Sequence, residues 1–251
     1  MTLKEEIIIL YKSTLLESCN VRATDGELGK VKDLYFDSDK WAIRYLVVDT
    51  QKWLPGRKVV VSPVSFDYVD LVENKVSLFA SKQQIENSPT ASEQHPLSRS
   101  LELDIHSYYG WSPYWVGEGL WGVSEVPTHT NQIQANDFHS IEENESHLRS
   151  MNELKGQLSG YTVKAKDQTI GKVVDFIIDD HSWKIHYVMI DTGDLLPGRK
   201  IAIETNLISS IDWVNNEIKT NLTSDDLDRE TDSVLEVDAI SRQALRETSF
   251  K

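Results

Sequence analysis

Trp41-Ala42-Ile43-Arg44-Tyr45-Leu46-Val47-Val48-Asp49-Thr50 returns 142 residues later as Trp183-Lys184-Ile185-His186-Tyr187-Val188-Met189-Ile190-Asp191-Thr192. Successive side chains of a strand point to opposite faces. Trp41, Ile43, Tyr45, Val47 and Asp49 thus share one face, apolar over most of its length in both copies and expected to line a core. The other face carries Ala42, Arg44, Leu46 and Val48, against Lys184, His186, Val188 and Ile190. It begins polar and ends apolar, which predicts a strand half covered by a neighbour, through a lobe-lobe or loop contact.

Outward from this strand the match runs without a gap from Val21–Lys58 to Val163–Lys200, with 18 identical positions among 38. A chain of 251 residues with one long-period duplication predicts two small domains; a solenoid needs three or more units. Short apolar runs broken by turn residues predict β structure. Strands are expected at Val21–Thr24, Lys30–Asp37 and Trp41–Asp49, separated by turns at Asp25–Gly29 and Asp37–Lys40. Leu54-Pro55-Gly56-Arg57 fits a type II turn. Val59–Val61 resumes the strand, and Asp70–Val76 and Asp212–Ile218 read as hairpins. Ser81 with Gln84 and Thr223 with Asp226 have capping-box spacing, which predicts a short helix closing each copy. The tail Ser233–Arg246, apolar at Val234, Val237, Ile240, Ala244 and Leu245, reads as a helix.

The formal charge of -14 is concentrated in residues 88–148, with nine acidic and one basic side chain. Neither copy shows the basic stripe that phosphate backbones require, so direct nucleic-acid binding is not expected. Cys19 is alone, which excludes an intramolecular disulfide and points to a reducing compartment. The apolar run Ile7–Leu10 is too short for a membrane span or a signal-peptide core. A soluble, cytoplasmic protein is the expectation.

Gly29-Lys30-Val31-x-Asp33, the strand from Trp41 to Thr50, and Leu54-Pro55-Gly56-Arg57-Lys58 together resemble the PRC-barrel family. That family includes a cytoplasmic domain of the reaction-centre H subunit and the C-terminal domain of a ribosome maturation factor. The resemblance implies a mainly β protein: two small antiparallel PRC-type β-barrels with short helices at the barrel ends. The expected layout is a first barrel at 1–88, an acidic connector with an aromatic centre at 89–149, a second barrel at 150–228 and a tail at 229–251. The second copy departs at Gln168 for Gly26 and Leu195 for Trp53.

No catalytic, cofactor-binding or metal-ligating constellation stands out. His95, His106, His129, His139 and His147 lack zinc-site spacing, and Asp25, Asp33 and Asp37 sit beside turns where carboxylates cap backbone. Asp49 with Arg57, and Asp191 with Arg199, are expected as loop ion pairs, an anion site being the alternative. The connector places six aromatics in 14 residues: Tyr108, Tyr109, Trp111, Tyr114, Trp115 and Trp121. They either fold back over an open barrel face or form a partner-binding strip, which a homodimer contact would reconcile. The flanks 88–105 and 123–147 read as flexible. The functional expectation is a non-enzymatic module that docks a protein partner through a barrel surface or this connector. The alternatives are a ribosome-maturation-type factor binding a ribosomal protein and a small-molecule or metal sensor using an inter-lobe cleft.

Overall fold

The computed structural model describes residues 8–50, 53–54, 57–90, 97–129, 147–156, 160–193, 195, 199–227, 234–236 and 245–247. The strands are β1 (Ile8–Lys12), β2 (Asn20–Ala23), β3 (Gly26–Asp37), β4 (Ala42–Asp49), β5 (Val59–Val61), β6 (Phe66–Asp70), β7 (Lys75–Leu78) and β8 (Leu148–Ser150) in the first part of the chain. The second part holds β9 (Thr162–Lys164), β10 (Thr169–Asp179), β11 (Ile185–Asp191), β12 (Lys200–Glu204), β13 (Ile208–Asp212), β14 (Glu217–Thr220), β15 (Val234–Glu236) and β16 (Leu245–Glu247). The helices are short: α1 (Ser13–Glu17), α2 (Lys82–Glu86), α3 (Arg99–Tyr109), α4 (Met151–Leu154) and α5 (Ser224–Leu227). The chain is therefore mainly β.

One sheet runs β5-β4-β3-β2-β7-β6, and the other repeats that order as β12-β11-β10-β9-β14-β13. Among the described residues neither path returns on itself to close a barrel. The tail departs from expectation: its described parts are strands, β15 pairing with the β12 edge and β16 with β1. An open edge such as β12 offers unpaired backbone groups that an extended segment satisfies and a helix does not.

Two further expectations are corrected. Trp41 and Trp183 are not strand residues; they take left-handed backbone, φ +51° and +62°, and end the turn before β4 and β11. A non-glycine residue there costs roughly 1–2 kcal/mol, offset in part by packing: Trp41 stacks on Phe36 at 5.5 Å and Trp183 meets Tyr11 edge-on at 6.4 Å. Gly29 is not a turn residue either but lies inside β3, where a Cβ would come within 1.9 Å of the Asp49 carbonyl oxygen. Gly171 meets Asp191 in the same way, at 2.2 Å. Pro55, Gly56, Pro197 and Gly198 of the loop turns lie outside the described residues.

The chain forms two compact units, Leu15–Ser150 and Met1–Thr14 with Met151–Lys251, and these cut across the copies. The leading strand of each copy pairs into the sheet of the other. β1 lies antiparallel to β10 with Leu10 opposite Asp179, and β8 lies antiparallel to β3 with Leu148 opposite Asp37. Asp179 is the repeat equivalent of Asp37, so both leading strands sit in the same register. A repeated carboxylate holds each one. Asp175 accepts the Ser13 hydroxyl at 2.6 Å and the Thr14 hydroxyl at 2.7 Å, while Asp33 accepts the Ser150 hydroxyl at 2.6 Å.

This exchange predicts that proteolytic nicking within residues 131–145 leaves two fragments that co-elute on gel filtration until denaturant is added; separation in buffer alone would refute the exchange. Asp175→Ala takes the acceptor from the fully buried Ser13 hydroxyl, which keeps only the Lys155 Nζ donor at 3.3 Å, and removes charge-assisted hydrogen bonds. The expected loss is on the order of 3 kcal/mol, read as a lower urea midpoint.

Candidate functional site

The site with the most chemistry is the seat of the connector on the first copy's sheet. α3 forms where a flexible flank was expected. Ser98 accepts the Leu101 amide at its N-terminus, and Gly110 closes it in left-handed backbone at φ +70°. Its buried residues are Arg99, Glu102, Ile105 and His106, which share one helix face through their steps of three and four from Glu102. Three of the four are polar, so the buried face carries no apolar stripe that hydrophobic periodicity detects.

Glu102 is the hub of this face. It accepts Arg99 Nη1 at 2.9 Å and the Tyr114 hydroxyl at 2.6 Å. The Arg99 guanidinium also lies 4.2 Å from the centre of the Trp115 ring. From the sheet side comes Arg44, 0% exposed, whose Nη2 donates to Asp37 at 3.2 Å. Its guanidinium faces Tyr114 at 4.0 Å and Trp121 at 4.6 Å from the ring centres. Aromatic faces supply negative potential to a cation that water no longer reaches.

His106 ties helix to strand. Its Nδ1 is 3.1 Å from the Ser112 carbonyl, which only accepts, so Nδ1 carries the proton and Nε2 accepts from the Tyr45 hydroxyl at 3.0 Å. Burial pushes the imidazole pKa down to about 4, against a raising hydrogen bond to the Ser112 carbonyl and with Arg44 and Arg99 adding to the fall. Burial likewise raises the Tyr45 and Tyr114 hydroxyls well above their ordinary value.

Of the six connector aromatics, Trp111, Tyr114 and Trp121 are buried, Tyr109 stacks on Trp111 at 4.4 Å and Trp115 lies under Arg99. Tyr108 is 41% exposed, its hydroxyl donating to the Gln84 carbonyl. Arg57 sends Nη1 to the Glu86 carbonyl at 2.7 Å and Nη2 to the Ser88 carbonyl at 3.2 Å, clamping the end of α2. Asp49 lies opposite Lys30 in the β3–β4 register. In the second copy Asp191 accepts the Gly193 amide, and the Arg199 carbonyl accepts the Thr192 hydroxyl.

The second copy carries His186 where the first has Arg44, and His186 Nε2 lies 2.8 Å from Asp179. Burial pushes the Asp179 carboxyl up, but hydrogen bonds from His186 and Ser182 outweigh it and hold the pKa below its ordinary value. Cys19 is buried and its thiol is pushed up to about 11, chiefly by burial. Among the described residues no group of three or more His, Cys, Asp or Glu side chains is placed to hold a metal ion. His95 and His139 lie outside those residues.

Residues 10–85 match the family model of the PRC-barrel domain. A search of curated proteins finds no match to the chain.

His106 makes the connector seat acid-sensitive. The unfolded chain takes up a proton near the ordinary pKa of about 6.5, which the folded chain refuses until about pH 4. Its contribution is therefore whole above pH 6.5 and lost as pH falls toward 4, an interval worth on the order of 3 kcal/mol. Urea midpoints measured from pH 7 to 4 should fall further for the wild type than for His106→Gln; parallel curves would count against the assignment.

Proposed function

We propose that the chain is a non-enzymatic binding or assembly module. In this reading residues 150–228 form a second PRC-type barrel domain beside the first, and both work in a reducing, cytoplasmic setting. A protein partner docks on the outward sheet face of the first copy. The observation that carries this reading is a divergence between the copies at outward positions.

On the β6–β7 hairpin Tyr68 lies opposite the buried Ser77, and Phe79 follows directly after β7, its amide donating to the Ser65 carbonyl at 3.0 Å. Tyr68 is 46% and Phe79 54% exposed, and His129 meets the Phe79 ring edge-on at 4.9 Å. The second copy has Ser210 and Asn221 at the positions of Tyr68 and Phe79. The fold thus tolerates polar residues there. Exposed aromatic rings at positions the scaffold does not need are the usual anchors of a protein contact. The connector acts in this reading as a fixed cover over the Arg44 side of the sheet, with Tyr108 at its exposed edge.

Tyr68→Ser with Phe79→Asn installs the residues of the second copy and should shift stability by less than about 0.5 kcal/mol, as surface changes do. Crosslinked copurification from native extract should lose the proteins that the wild type retains. Retention of the same proteins by the double variant would remove this face from the function.

A further inference from the structure

The two copies finish their sheets differently at equivalent edges. Val59-Val60-Val61 of β5 and Ile201-Ala202-Ile203 of β12 are repeat equivalents, and each pairs antiparallel with the strand before it, β4 or β11. β12 has a second neighbour: β15 lies antiparallel to it, with Ile203 opposite Val234, Ala202 opposite Leu235 and Ile201 opposite Glu236. β5 ends its sheet, and among the described residues its backbone is bonded to β4 alone. In an antiparallel ladder the hydrogen-bonded and non-hydrogen-bonded positions alternate, so such an edge turns unpaired N–H and C=O groups outward.

Natural edges are guarded by charge, proline or a bulge within the strand, or by shortness. β5 is three valines paired in unbroken register, so shortness is its guard. That guard does not keep a strand off β12, which takes β15 over the same three positions. Val59 and Val61 are buried, whereas Val60 is half-buried and Ala202, its equivalent, is 0% exposed. The larger of the two side chains thus keeps apolar surface accessible. The flanking charge is balanced. Asp191 lies opposite Lys200 in the second copy, Asp49 and Lys58 are their equivalents, and Lys58 Nζ donates to the Tyr35 hydroxyl at 3.0 Å. Arg57 is engaged by the Glu86 and Ser88 carbonyls.

We propose that the β5 edge accepts an extended, uncharged apolar segment of a partner protein as an added antiparallel strand. The backbone groups of the edge supply the attachment. Val60 supplies the side-chain preference, for leucine or a β-branched residue opposite it, as Leu235 lies opposite Ala202. The occupant is not a second copy of this chain, whose own matching strand is already held by β12. Nor is it a helix, which satisfies its backbone internally and leaves the edge groups unpaired. The edge lies at the opposite end of the sheet from the β6–β7 hairpin. It is therefore a second docking surface, and it stands whether or not the Tyr68 face binds.

The test uses the full chain and a neutral peptide, Thr-Ser-Val-Leu-Gln-Val-Thr, built on residues 232–238 with their three carboxylates replaced and carrying photo-leucine for leucine. Irradiation should crosslink it to Val59–Val61. The yield should hold between about 0.05 and 0.5 M salt, over which contacts between charges are screened. The same peptide N-methylated on alternate amides keeps its side chains but loses its donors, and should crosslink at least tenfold less. Val60→Lys places an edge guard on β5 and should lower the yield as far, while Tyr68→Ser/Phe79→Asn should leave it unchanged. No crosslinking, crosslinks confined to Ile201–Ile203, equal yield from the N-methylated peptide or a yield that collapses with salt would each overturn the proposal. So would a concentration-dependent dimer of the full chain that shields β5, since the edge would then belong to a second copy.

Discussion

The Asp37 carboxylate is the point from which the first copy is organised. Its Oδ1 accepts the amides of Asp39 and Lys40 and so fixes the tight turn between β3 and β4. That turn delivers Trp41 in left-handed backbone and starts β4 in the register that brings Arg44 back to Asp37 Oδ2. One side chain thereby sets a turn, a register and the position of a buried cation. Asp179 repeats the arrangement with the amides of His181 and Ser182 and with His186. The two copies differ at the residue the carboxylate holds, and that difference determines what each sheet face accepts above it.

Arg44 accepts an aromatic cover. Four buried ionic groups, Asp37, Arg44, Glu102 and Arg99, form two ion pairs whose guanidiniums both lie near the Tyr114 ring, at 4.0 and 5.6 Å from its centre. Removing ions from water is costly, and a buried pair adds little net stability compared with an apolar core. Its physical value is selectivity: the rings of Tyr114 and Trp121 pack over a guanidinium in the first copy, where the second copy has the shorter imidazole of His186. Burial of His106 as a neutral imidazole completes the seat, since its two nitrogens match one donor and one acceptor. A connector rich in glycine and aromatics is held in one conformation by directed hydrogen bonds at Glu102 and His106.

The repeated strands, the hairpin acids and the capping box of Ser81 and Gln84 were legible in the sequence because each is a local pattern with a local cause. α3 was not, because hydrophobic periodicity marks a buried helix face only when that face is apolar, and here it carries Arg99, Glu102 and His106. From its neighbours in sequence the glycine at position 29 has the look of a turn former. Its true constraint is the approach of Asp49 from another strand, which no local window contains. The exchange of leading strands was hidden for the same reason, since Leu10 and Asp179 are far apart in sequence. A trace does exist: Leu10 and Leu148 are 138 residues apart while the copies align at 142, which places a four-residue insertion in the second copy between leading strand and β9.

Strand exchange also accounts for where the copies have stayed alike and where they have parted. Each sheet is completed by a strand from the other copy, so Asp33 and Asp175, which hold the incoming segments, are constrained together. A change that spoils one sheet's register also strands a segment belonging to the other copy. Positions that point outward from β6, β7, β13 and β14 carry no such obligation. Tyr68 against Ser210 and Phe79 against Asn221 show the freedom that results. A scaffold locked through its leading strands can therefore carry two chemically unlike faces without losing the fold common to both, and those faces are where selection for partners can act.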